Sequence, residues 1–167
     1  GGRRFVPQVE ARHFLAALAY RTQKAVRGAS SAFADFSAGS RVRTPSELIR
    51  HMSSVIGYAA TFFVGGSYRP EPLPTFEQEV ARFHEVLERL AELVANSTDW
   101  SRITPRQLLQ GPLSDAMTHA GQLAMLRRLA GEPIPPENFI FATISSHNLG
   151  PEQPEPVAPD GVWPEAP

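Results

Sequence analysis

The segment "SDAMTHAGQLAMLRRLAGEP", residues 114–133, sets a carboxylate and an imidazole four residues apart, at Asp115 and His119. On a helix, positions i and i+4 are separated by about 40° and one turn, so the two side chains project side by side and could hold one cation. Leu108, Gln122, Leu126 and Leu129 extend the same stripe, which reads as inward-facing because Arg127 and Arg128 fall to its side. A carboxylate on such a face is costly without a partner, and a divalent cation offsets the desolvation. His51, in "SELIRHMSSVIGYAATFF", follows Leu48 by three residues and precedes Val55 by four, so it too lies on an apolar face. His51, Asp115 and His119 together would make an N,N,O site with open positions, the layout of a catalytic rather than a structural metal centre. The spacing also fits a plainer arrangement, in which Asp115 bonds His119 or an arginine.

Four helical segments must position these residues, and three open with the same device. "TPSE" at 44–47, "TFEQ" at 75–78 and "TPRQ" at 104–107 each place a threonine at the N-cap and a Glu or Gln three residues on, a capping box. The pattern predicts a first helix over Val9–Arg27 and a second from Pro45 to Val64, stopped by Gly65 and Gly66. The third carries Phe76, Val80, Phe83, Leu87, Leu90 and Val94 at alternating spacings of four and three, an amphipathic helix. The fourth starts after Thr104, is broken or kinked near Gly111 and Pro112, and continues to Gly131.

No strand-like alternation precedes residue 138, so the expected fold is all-α, a four-helix bundle with long connections. Nine of the sixteen prolines lie from Pro133 onward, and "FIFATIS" is the one β-like run. An extended tail is expected to lie over the bundle through Phe139, Phe141 and Ile144, because exposing three large apolar residues is costly. The division expected is 1–150 for the bundle with its extended segment and 151–167 for a Pro-rich tail, mobile unless Trp163 docks.

Composition narrows the function. A net charge of -1 with 20% charged residues gives no extended field for nucleic acid or an anionic membrane. With no cysteine, disulfides, thiolate metal ligands and a cysteine nucleophile are excluded, so any metal must use His, Asp or Glu. No run approaches the roughly 18 apolar residues of a membrane span, and "GGRRFVPQ" lacks a secretory hydrophobic core, so a cytoplasmic protein is expected.

The segments "LIRHMSSV" and "DAMTHAGQLAMLRRLAGEPIP", with the ending "ENFIFATISSHNLGPEQ", resemble the DinB/YfiT-like superfamily of metal-dependent enzymes over residues 10–153. The resemblance implies a four-helix bundle with one ligand histidine on the second helix, matched by His51, and a His-x3-His pair on the last, of which His119 is the second member. Asp115 stands where the family has its first histidine. A carboxylate is still a competent ligand, and two imidazoles favour a first-row ion, with zinc first and nickel, iron or manganese as alternatives to it. The implied activity is a hydrolase or a transferase in which the metal activates water or a low-molecular-weight thiol of the mycothiol or bacillithiol class. A small-molecule substrate and a homodimer follow from the same resemblance. The alternative is a non-catalytic bundle that binds a small ligand or a protein partner.

Other residues carry weaker signals. Gln122 is a candidate to orient a ligand or substrate. His13 and His84 read as partly exposed, His147 as part of a loop, Tyr20, Tyr58 and Trp100 as packing residues, and Met52 and Met125 as core.

Overall fold

The computed structural model describes residues 6–164 and 166. Its helices are α1 (Pro7–Val26), α2 (Pro45–Val64), α3 (Phe76–Asn96), α4 (Pro105–Leu108) and α5 (Ser114–Leu129), the last two joined without a break by a π turn at Leu109–Leu113. Among the described residues there is no strand, only an isolated bridge between Glu137 and Pro159. No described helix is long and apolar enough to cross a membrane.

All three expected capping boxes form. In the first, the Glu47 amide donates to Thr44 Oγ1 at 3.3 Å while Glu47 Oε1 accepts from the Thr44 amide at 3.0 Å. The Thr75/Gln78 and Thr104/Gln107 pairs repeat it. At the other end of α2, Gly65 and Gly66 adopt φ values of 79° and 76°, the left-handed turn that stops the helix.

α1 packs on α3 and α5, and α2 packs on the same two helices, so the consecutive pair α1 and α2 sit across a diagonal of the bundle. The chain crosses that diagonal through residues 27–44, where Phe33, in a 3-10 turn, is buried. This is why the connections exceed those of an up-down bundle. The α3 stripe is buried from Val80 to Val94 and meets Leu15, Leu18, Ile49, Met52, Ile56 and Leu123, all at 0% exposure. Buried Glu79 of α3 pairs with Arg50 of α2 and with Arg82, an ionic tie between the two helices in which the carboxylate has a cation on either side.

The second helix meets a bulky neighbour directly. A Cβ on Gly57 would lie 2.1 Å from the Tyr68 ring, so the loop after α2 seats that ring on bare helix backbone.

The fourth segment departs from the expected stripe. Pro112 has no amide proton and its ring would crowd the carbonyl of Leu108 in an α-helix. The π turn opens the backbone there, and Ser114 Oγ donates to the Leu109 carbonyl at 2.6 Å. The buried face of α5 is Ala116, His119, Ala120, Leu123, Leu126 and Arg127. Asp115, Gln122, Met125 and Leu129 are exposed, so the stripe drawn through them runs along the margin of the core rather than into it. Met125 is not a core residue. Arg127, expected at the side, is 5% exposed, and its guanidinium donates to the carbonyls of Ala25, Arg27 and Glu132, fastening α5 to the end of α1.

The segment after Gly131 does lie on the bundle, with different anchors. "FIFATIS" forms no strand. Phe139–Phe141 is a 3-10 turn in which Ile140 and Phe141 are exposed, while Phe139 meets Tyr20 edge-on and carries the Arg21 guanidinium on its face. Glu137 is buried, accepting from the Tyr20 hydroxyl at 2.9 Å and from Lys24 Nζ at 2.7 Å. Burial and the Glu137 carboxylate push the Tyr20 hydroxyl up to about 12. Ile144 packs against the core and Leu149 is within it, at 2% exposure. His84, expected to be partly exposed, is also 2% exposed: Nδ1–H donates to the Leu149 carbonyl at 2.8 Å, and Nε2 accepts from Gln23 Nε2 at 2.9 Å. The final proline-rich stretch returns to the segment's start, the Asn138 amide donating to Ala158 O and the Asp160 amide to Pro136 O, with Trp163 half-buried. Trp100 packs edge-on against Phe63, as a packing residue should, whereas Tyr58 is 56% exposed.

Candidate metal centre

α2 and α5 are neighbours, and the residues they bring together are those the spacing singled out. His51, Asp115 and His119 each offer a ligand atom, and these atoms lie within 4.8 Å of one another. The two imidazoles meet edge-on with centroids 4.7 Å apart. His119 is buried, His51 half-buried and Asp115 on the rim with half its side chain exposed. The buried carboxylate expected from the sequence is therefore a rim carboxylate, because the π turn leaves Asp115 at the edge of the core face.

The protons on His119 decide what the cluster can do. Gln122 Oε1 accepts from His119 Nδ1–H at 3.0 Å, which in the neutral ring puts the lone pair on Nε2. That Nε2 is buried and has no hydrogen-bond partner. Asp115 Oδ1 lies 3.3 Å from it, facing that lone pair in the neutral ring. Two facing lone pairs at that distance repel, and a cation between them turns the repulsion into attraction. His51 completes the set. Its pKa is lowered, first by burial and then by the positive field of Arg43, against the opposing pull of Asp115, which favours the neutral, ligating form of the ring. The donor set, two imidazoles and one carboxylate, suits a first-row divalent ion, and the residues fit that group.

The remaining histidines take no part. His13 and His147 are exposed, and His84 is used by the tail. Gln122 lies beside the cluster, its Oε1 bonded to His119 Nδ1. Missed by the sequence reading were Arg41 and Arg43, whose loop position carries no periodic signal. They line an open groove of about 880 Å³ with Gln122 as its link to the cluster.

No protein-family model, no curated protein and no solved structure matches the chain. Fold and site define its class by themselves: an all-helical bundle whose second and last helices present a His/Asp/His group able to hold a metal ion.

Proposed function

We propose that the protein is a metal-dependent enzyme of the DinB-like kind, holding a divalent first-row ion, zinc first, on His51, Asp115 and His119. The observation that carries this reading is the buried, unpartnered Nε2 of His119, fixed in its ligating tautomer by Gln122. A bound ion would supply Lewis acidity, lowering the pKa of water or of a low-molecular-weight thiol and polarising a small-molecule substrate. The chain's own residues do the rest. Gln122 holds the His119 ring in place, burial keeps His51 neutral, and half-exposed Asp115 supplies a compensating negative charge on the open side. Hydrolysis or thiol transfer in the cytoplasm by a homodimer is the form the family resemblance supports. Calorimetric titration of the metal-stripped protein with zinc is the test: one ion per chain is expected, and the absence of a saturable site for zinc, nickel, iron or manganese would sink the reading in favour of a non-catalytic bundle.

A further inference from the structure

Beside the cluster, the groove between α5 and the segment leading into α2 combines two features that ordinarily occur apart. One wall is apolar and exposed: Val42, Met125 and Leu129 have relative exposures of 46%, 53% and 58%. All three side chains line the groove. The rim carries Arg41 and Arg43, both exposed, and among the described residues neither forms a salt bridge. Glu47, the carboxylate lining the groove, already has Oε1 on the Thr44 amide as part of the α2 cap. Arg41 is also the one non-glycine among the described residues with positive φ, at 67°. That conformation belongs to the turn at Ser40 and Arg41, which sets the Arg41 side chain at the mouth of the groove.

The groove is joined to the cluster at Gln122, which lines the groove and bonds His119. An apolar wall beside two guanidiniums that form no salt bridge among the described residues, in a groove joined to the candidate metal centre by Gln122, matches one ligand chemistry. We infer that the substrate is an amphipathic organic anion, its carboxylate or phosphate headgroup held by Arg41 and Arg43 and its apolar body laid along Val42, Met125 and Leu129. Arginine's planar fork suits either headgroup. This inference names the substrate class for the metal-enzyme reading and rests on it.

Octanoate, octyl phosphate and neutral octan-1-ol are the probes, titrated calorimetrically into both the metal-free and the zinc-loaded protein. Octanoate or octyl phosphate should bind saturably and octan-1-ol about tenfold or more weaker, the tighter of the two anions naming the headgroup. Arg41→Gln and Arg43→Gln should each weaken the anion about tenfold, with circular dichroism and zinc uptake unchanged. No saturable anion binding in either form, or affinity retained in the double variant, would overturn the inference. The two readings separate cleanly: zinc bound without either anion leaves the centre standing and removes the groove. Arginine-dependent binding of either anion by a protein that takes up no zinc does the reverse.

Discussion

The Gln122 side chain accepts a hydrogen bond from Nδ1–H of His119, three residues before it on α5, at 3.0 Å, and so decides which nitrogen of that ring is left bare. Gln122→Leu removes the acceptor while keeping the size. The ring can then carry its proton on Nε2, turned toward Asp115, and zinc affinity should fall about 10- to 100-fold, the usual cost of losing a ligand's orienting partner. Calorimetry reads it, and an unchanged affinity would mean that Gln122 serves only the groove.

Each of His51→Ala, Asp115→Ala and His119→Ala should strongly reduce zinc occupancy measured by elemental analysis, since each removes one of the chain's three candidate ligand groups. His13→Ala should not. Asp115→His restores a His-x3-His pair at the same helical spacing and should retain metal with a preference shifted to softer ions. In the unmodified protein, zinc at 100 times its dissociation constant should add about 2.7 kcal/mol of stability, absent in His119→Ala.

The anchors of the C-terminal segment are separable. Leu149 is at 2% exposure, so Leu149→Ala should cost about 2–5 kcal/mol in denaturant unfolding. Phe141, at 60% exposure, should change stability by no more than about 0.5 kcal/mol when cut to Ala. Equal effects would return the anchor to the aromatic residue that the sequence pattern favoured.

His84 links the same segment to pH. Burial lowers its pKa from the ordinary 6.5, partly opposed by its bond to the Leu149 carbonyl. The folded chain therefore binds fewer protons than the unfolded chain just below pH 6.5, so the contribution is full above that value and is lost as pH falls through the folded pKa. Denaturation midpoints at pH 7.5 and 5 should differ less in His84→Gln than in the unmodified protein. An identical pH dependence would show that His84 does not titrate in this range.

What could be read from the residues was what repeats or caps. Three threonines with a Glu or Gln three residues on marked three helix starts, and all three boxes form. The α3 stripe was legible because every member reaches the same core. The trio His51, Asp115 and His119 was legible from spacing within helices, though its depth was not, since burial of Asp115 depends on how α5 is rotated after Pro112. Arg127 and His84 defeated the same reasoning for a shared reason. Each is a polar residue buried because distant backbone carbonyls, those of Ala25 and Arg27 in one case and Leu149 in the other, await a donor. Helical periodicity holds no record of such partners.

The π turn has a consequence for how the gene can change. A π turn holds one residue more than the α-helix it interrupts, so deleting Pro112 would let α4 run straight into α5 with both flanking faces kept in phase. Loss of a codon at that point is therefore tolerable to Asp115 and His119. Gain or loss of a codon between Asp115 and His119, inside regular helix, turns one ligand by about 100° relative to the other and separates them. Lineages descending from this sequence can shorten the last helix on one side of the site and must keep the count on the other.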